Sequence, residues 1–460
     1  MTQYKTIAES NNFIVLDQYN KFVEEPNAGY QTEGSLEREF IHDLRAQGYE
    51  YLQDINGHDA LIKNLRAQLQ RLNNVVFSDA EWRRFLEEYL DKPSDSLIEK
   101  TRKIHDDYIY DFVFDNGRIQ NIYLLDKKNL ANNAVQVINQ FEQTGKYDNR
   151  YDVTILVNGL PLVHIELKKP SESIIKAFNQ IQKYINEAKF TDIFCFIKMF
   201  VVSNKTITRY ISAGQSLREK FLTAWVDDKN QRVDNYLDFA REVLSIPQAH
   251  HMLADYTVLD NQAKNIILLR PYQIHAIKAI FKASREQKSG YIWHTTGSGK
   301  TLTSYKVARN LLQIPSIQKT VFLIDRQDLD VQTVSAFEAY AYNDTINVDD
   351  TDNSYDLANQ LIDNEKKVIV TTRQKLQAIF RRIDEQKDNL SKKYLKLKDV
   401  KLAFVVDECH RAVTPSQKRE LDKFFNKSPL WYGFTGTPIM NKNARAENGN
   451  DARTTKGLYK

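Results

Sequence analysis

A chain of 460 residues exceeds what one hydrophobic core usually organises, and its 42% hydrophobic and 27% charged residues are the balance of an ordinary globular protein. Fifteen glycines and ten prolines argue against long disordered linkers, and two cysteines, Cys195 and Cys409, exclude a disulfide framework or zinc finger and point to the cytoplasm. The net charge of +4 permits a nucleic-acid partner without requiring one; no run approaches the ~20 apolar residues of a bilayer span, and the opening residues lack a signal-peptide profile, so no membrane is expected.

In chain order, the first hundred residues read as helical: Leu61, Leu65, Leu69 and Leu72 follow helical spacing, as do Trp82, Phe85, Leu86 and Tyr89. Strand patterns follow at residues 108–114, 119–125 and 152–167, then a helix at 174–185 and a strand at 193–202. The expected architecture is α/β, a mixed sheet flanked by helices with one hairpin at its centre. A boundary is expected between residues 247 and 268, giving a first domain at 1–255, a second at 256–440 and a polar, disordered tail at 441–460. In the second, short apolar runs at 266–269, 290–294, 320–324, 367–370, 402–406 and 431–434 alternate with helical segments, the pattern of buried parallel strands in a doubly wound sheet.

Asp152, Glu166 and Lys168 form the arrangement Asp-x13-Glu-x-Lys. On a strand, Glu166 and Lys168 share one face while Leu167 takes the other. Two carboxylates on one face can hold Mg²⁺ against a scissile phosphate, and a nearby lysine can orient the attacking water. Asn158 and Gly159 mark a hairpin turn; a plain two-residue turn there pairs Asp152 with Ile165 and separates the carboxylates. The apolar pattern demands instead that Val153, Ile155 and Val157 share a face with Val163, Ile165 and Leu167. That parity requires a three- or five-residue loop centred on Gly159, or a bulge, and sets Asp152 opposite Glu166. Gln180 and Tyr184, one helical turn apart, share a face from which they can contact DNA near the metal. A half-buried helical tyrosine is the competing reading for Tyr184. Glu37 is a further acidic candidate, with a solvated helix face the favoured reading.

Further on, the strand at 290–294 runs into Gly-Ser-Gly-Lys-Thr at 297–301, which opens a helix. Backbone N–H groups of Thr296, Gly297, Ser298 and Gly299 can close around phosphate oxygens. Lys300 then reaches the β- and γ-phosphates, and the Thr301 hydroxyl ligates Mg²⁺. A second apolar strand delivers Asp407, placed to hold the Mg²⁺ through water, and Glu408, placed to polarise the attacking water. Cys409 and His410 make no tetrahedral metal site by themselves; His410 is expected to couple the nucleotide site to the turn holding Thr435 and Thr437. The basic run from Arg381 to Lys401 reads as a solvated surface rather than a DNA contact.

These segments carry three resemblances. Asp152, Glu166 and Lys168, with Gln180 and Tyr184, resemble the PD-(D/E)xK nucleases, although Tyr151 stands in place of the motif's proline. The glycine loop, Asp407-Glu408, Arg-Pro-Tyr-Gln at 270–273, Asp325-Arg326, Thr371-Thr372 with Gln374, and Phe-Thr-Gly-Thr-Pro at 434–438 resemble the superfamily 2 helicases and translocases. That likeness implies a RecA-like motor domain, Gln273 as reader of the adenine, and Thr371 and Thr372 as contacts to the nucleic-acid backbone. For Arg326 and Gln374, plain surface packing stays open. Such motors hold ATP between two RecA-like domains, and the chain stops 22 residues after Pro438, so the second domain and its arginine finger are expected beyond it. A nuclease followed by such a motor resembles the restriction (R) subunits of type I restriction–modification enzymes, a likeness carried also by residues 7–13, 150–155, 165–168 and 291–301. It implies an ATP-dependent endonuclease that translocates double-stranded DNA and cleaves it with a Mg²⁺-dependent nuclease domain. ATP and Mg²⁺ are the implied cofactors; DNA and the methyltransferase and specificity subunits are the implied partners. The alternatives are a type III restriction subunit, against which domain order argues, a helicase whose nuclease-like domain only grips DNA, and a nucleotide-dependent scaffold, against which Glu408 argues.

Overall fold

The computed structural model describes the chain outside residues 1–5, 11–12, 17–31, 106, 128, 144–148, 188–189, 215–216, 296–297, 325–326, 342–346, 351–353, 386–395, 441–445, 448–450, 453 and 460. Thr296, Gly297, Asp325, Arg326 and the centre of the basic run therefore lie outside the described residues. Two compact units divide at Pro271/Tyr272.

The first unit is built on a six-stranded mixed sheet, whose strands we label β1 (Glu50–Tyr51), β2 (Val135–Gln143), β3 (Asn149–Val157), β4 (Leu160–Leu167), β5 (Met199–Ser203) and β6 (Thr208–Ser212). They lie in the order β6-β5-β4-β3-β2-β1. The β4–β5 and β1–β2 pairs are parallel and the others antiparallel. Every residue of β4 is buried, as a central strand covered on both faces must be. Helix α1 (Glu33–Ala46) packs beside β2, β3 and β4, and helix α2 (Ile174–Asn186) against β4 and β5. Helix α3 (Ile246–Ala254) contributes Ile246, Ala249 and Leu253 to an apolar cavity also lined by Ile155 and Val157.

The β3–β4 hairpin resolves the parity problem by a bulge. Val157 pairs with Leu160 across a two-residue turn, yet Ile155 pairs with Val163 and Val153 with Ile165, the register shifting between Ile155 and Leu156. One extra residue in β4 thereby keeps the apolar residues together and leaves Asp152 and Thr154 on the face that carries His164 and Glu166. The turn needs its residues. Asn158 has φ 51° and Gly159 φ 83°, the doubly left-handed pair of a tight hairpin turn. A Cβ on Gly159 would lie 2.6 Å from the Leu65 Cα of helix His58–Asn73.

Several expectations are corrected here. Residues Thr6–Ser10 and Phe13–Leu16 pair as two strands ahead of the helices. The stretch 193–202 is not one strand: a short 3₁₀ turn at Asp192–Phe196 precedes β5. Strands Ile109–Val113 and Ile119–Tyr123 form their own two-stranded sheet. The unit extends past residue 255, because Thr257–Asp260 pairs antiparallel with Asn265–Leu268, so the run at 266–269 is half of a hairpin and not a parallel strand.

The second unit holds β7 (Gly290–Trp293), β8 (Lys319–Ile324), β9 (Asn347–Asp350), β10 (Lys367–Thr372), β11 (Leu402–Val406) and β12 (Leu430–Thr435), in the order β7-β12-β11-β8-β10-β9. All are parallel. This is the doubly wound, RecA-like sheet expected. Strands β8, β10, β11 and β12 are buried throughout, which explains their unbroken apolar runs. The C-terminal ends of β7, β12 and β11 lie side by side, with Trp293 paired to Thr435 and Gly433 to Val406; ligands of such sheets bind beyond those ends. The tail is not disordered throughout: Thr455–Leu458 is helical, and Leu458 and Tyr459 join the core beside Trp431.

Candidate active site

The hairpin sets two carboxylates and a lysine together on one face of the first unit. Asp152 and Lys168 are each 8% exposed and Glu166 is fully buried. The Leu167 N–H donates to Asp152 Oδ2 at 2.8 Å, which ties the carboxylate of β3 to the backbone of β4. Lys168 Nζ donates to Glu166 Oε1 at 3.1 Å and to the Leu167 carbonyl at 3.0 Å, with Glu33 Oε2 of α1 4.0 Å away. The three residues of the sequence motif are thus neighbours in space.

Their electrostatics are those of a site short of positive charge. Burial, together with the charge of Glu166, pushes Asp152 up to about 8, against the Leu167 N–H and Lys168. Burial pushes Glu166 up to about 7, with Lys168 pulling it down. For Lys168 burial works against the charged form, but Glu166 and Asp152 outweigh it and raise its pKa. One lysine does not neutralise two ionised carboxylates, and a bound proton or a divalent cation would offset the remainder. The donor set, hard carboxylate oxygens, suits Mg²⁺, which keeps several positions for water and phosphate oxygens. Among the described residues no group of three or more His, Cys, Asp or Glu side chains is placed to hold a metal ion.

Around this cluster, Gln180 Nε2 donates to the Tyr184 hydroxyl, which donates to the Arg150 carbonyl at 3.3 Å. Tyr184 is buried rather than half-buried, its ring edge-on to Tyr151 at 5.3 Å, while Gln180 keeps some exposure. Glu37 is also buried and not on a solvated face; its Oε2 accepts from Gln140 and Asn139, and burial raises its pKa. Two residues went unnoticed in the sequence: His164, fully buried with Nε2 3.3 Å from Glu166 Oε2, and Thr154 opposite it. The signal was available, since His164 precedes Glu166 by two on a strand and so shares its face.

In the second unit, β7 leads to helix α4 (Lys300–Leu311) through Gly299, whose φ of 79° favours glycine and where an added Cβ would meet Gln273 Nε2 at 2.9 Å. Lys300 Nζ lies 2.9 Å from Asp407 Oδ1 and also bonds Glu408 Oε1. Gln273, 4% exposed, donates to Thr303 Oγ1 at 3.1 Å, and Tyr272 donates to the Ser298 carbonyl at 2.6 Å, so the upstream element braces the glycine loop and the first turn of α4. Thr301 is the second residue of α4 and is partly exposed. His410 Nδ1 lies 2.8 Å from Thr435 Oγ1 and 3.4 Å from Glu408 Oε2, with Nε2 3.5 Å from Thr437 Oγ1. His410 therefore stands between the carboxylate and the Thr435 turn, while Cys409 is buried in the core. Thr371 and Thr372, expected as contacts to the nucleic-acid backbone, are 0% and 3% exposed at the end of β10.

The sequence comparisons agree with this division. Residues 30–219 match the family of the type I restriction enzyme R protein N terminus, and residues 272–455 match the SWI2/SNF2 ATPase family. The chain is 50% identical over 305 residues to the EcoprrI type I restriction enzyme endonuclease subunit of Escherichia coli, covering 63% of this chain and 96% of that one. It is 35% identical over 440 residues to the SsaAORF53P endonuclease subunit of Staphylococcus saprophyticus, covering 94% of this chain and 45% of that one. For the SauMRSORF196P endonuclease subunit of Staphylococcus aureus the identity is 36% over 439 residues, with coverage of 94% and 45%. The chain thus spans less than half the length of the staphylococcal relatives. With an ATPase unit following an R-protein N-terminal unit, the chain belongs to the endonuclease (R) subunits of type I restriction enzymes.

Proposed function

We propose that the first unit cleaves double-stranded DNA with Mg²⁺ at Asp152, Glu166 and Lys168, and that the second binds ATP·Mg²⁺ to drive translocation, within an assembly of methyltransferase and specificity subunits. The observation that carries the nuclease reading is the buried pair of carboxylates with one lysine. Asp152 and Glu166 would hold the cation, which when bound polarises the scissile phosphate and offsets its charge. Lys168, held by Glu166 and the Leu167 carbonyl, orients the attacking water and meets negative charge as it develops on the phosphate. Gln180, partly exposed beside Tyr184, is the side chain of the pair open to the DNA backbone.

At the nucleotide site Lys300 bridges Asp407 and Glu408. To meet the β- and γ-phosphates it would leave them; Asp407 with Thr301 would then hold the nucleotide's Mg²⁺, and Glu408 would polarise water. His410 then carries the change at Glu408 to Thr435 and Thr437. Gln273 is read as the adenine contact, and Thr296, Gly297, Ser298 and Gly299 as the phosphate cradle.

The test is cleavage of DNA by the assembled restriction enzyme carrying Glu166→Gln or Lys168→Ala. Cutting is expected to fall at least ~100-fold with ATP hydrolysis and translocation retained. Cutting at the unsubstituted rate would mean that the first unit only grips DNA.

A further inference from the structure

Both oxygens of the Glu166 carboxylate have protein partners: Lys168 Nζ at Oε1 and His164 Nε2 at Oε2. The histidine lies in register with Thr154 across the β3–β4 pair, and Thr154 Oγ1 is 3.3 Å from its Nδ1. Its ring is fully buried, with Tyr151, Phe190 and Phe200 edge-on to it at centroid distances of 5.2, 5.6 and 6.2 Å. Which ring nitrogen donates and which accepts depends on the tautomer.

A buried imidazole needs a polar partner at each nitrogen, and the identity of those partners decides which nitrogen carries the proton. Here both are met, one by a hydroxyl that can donate and the other by a carboxylate. A Thr154 hydroxyl donating to Nδ1 leaves the ring proton on Nε2, the nitrogen that faces Glu166. We infer that His164 is a positioning residue for the nuclease cluster: its Nε2–H holds Glu166 Oε2, and Thr154 fixes the tautomer that makes this possible. With Oε2 held and Oε1 shared with Lys168, the carboxylate plane is set before any cation arrives. Partners of this kind, one bond behind a ligand, typically change metal affinity by ~10–100-fold. The inference rests on the reading of Glu166 as a cation-holding carboxylate.

The test measures Mn²⁺ binding by calorimetry and the Mg²⁺ concentration for half-maximal cleavage in the assembled enzyme. His164→Leu removes the donor and is expected to raise the Mn²⁺ dissociation constant and the Mg²⁺ requirement about 10-fold or more, with ATP hydrolysis unchanged. His164→Gln keeps an N–H donor on a side chain of similar reach and is expected to stay within about threefold of the unsubstituted protein. Thr154→Val, which frees the tautomer with little change of volume, should fall between them; it serves as the decisive variant if His164→Leu does not fold. Unchanged Mn²⁺ binding in folded His164→Leu or in Thr154→Val overturns the inference, as does a Gln variant as weak as the Leu one. Unchanged binding and cleavage in a parallel Glu166→Ala variant would instead overturn the underlying nuclease reading.

Discussion

Asp152 illustrates what one misplaced charge does inside a fold. In the unfolded chain both Asp152 and Glu166 titrate near about 4; in the folded protein they are pushed to about 8 and about 7. Without a cation the folded state therefore holds more protons than the unfolded one across that window. The stability these groups contribute is full below the unfolded pKa and is lost as the pH rises through the folded values. The Asp152→Asn variant, which cannot ionise, should melt above the metal-free unsubstituted protein at about pH 8.5, and the difference should shrink towards about pH 5. Adding Mg²⁺ at the higher pH should raise the melting temperature of the unsubstituted protein more than that of the variant. Scanning calorimetry at two pH values reads this, and a pH-independent difference would refute it. Lys300 poses the mirror case, one ammonium between two carboxylates. Lys300→Ala should abolish ATP binding measured by fluorescence of a labelled nucleotide, because the charge that meets the phosphates is gone.

At the scale of elements, the β3–β4 hairpin is the piece on which the first site depends. Asn158 is fully buried and does three jobs: its Oδ1 accepts from the Ala134 N–H at 2.8 Å, and its Nδ2 donates to the Leu124 carbonyl and to Asn133 Oδ1. Asn158→Ala loses these bonds, leaves buried groups unpaired and strains a left-handed backbone, so a loss of about 2–4 kcal/mol is expected in urea unfolding of the first unit. Gly159→Ala must displace helix His58–Asn73 at Leu65 and should also destabilise, by at least about 1 kcal/mol. A variant of either kind that unfolds at the unsubstituted midpoint would show that the turn is not needed for the register. The bulge lies in the same hairpin, and without it Asp152 would face away from Glu166.

At the scale of the molecule, the two candidate sites belong to separate compact units, each with its own sheet. Substitutions in one are therefore expected to leave binding at the other nearly additive, within about 0.5 kcal/mol. Lys300→Ala should keep Mn²⁺ binding by the first unit, and Glu166→Ala should keep nucleotide binding by the second. Titration calorimetry of both ligands on both variants measures this, and loss of nucleotide binding in Glu166→Ala would contradict it. Family membership was legible at this scale as well, because two motif sets in a fixed order coincide with the two matched segments.

The sequence by itself determined the α/β class, the parallel sheet of the second unit and the two residue sets of the candidate sites, because motif spacing and strand periodicity are local properties of the chain. The hairpin's parity was also local: the apolar alternation around Asn158 and Gly159 demands that Asp152 face Glu166. What only the tertiary structure decided depends on what packs above each face. Burial turned Glu37 and Tyr184 inward and closed Thr371 and Thr372 off from solvent. Pairing placed Thr257–Asp260 and Asn265–Leu268 in the first unit rather than the second. The neighbours of His164 emerged only when β3 and β4 were set in register and the aromatic rings closed over them. Contacts between residues far apart in the chain leave no periodic trace in it, and burial is the sum of such contacts.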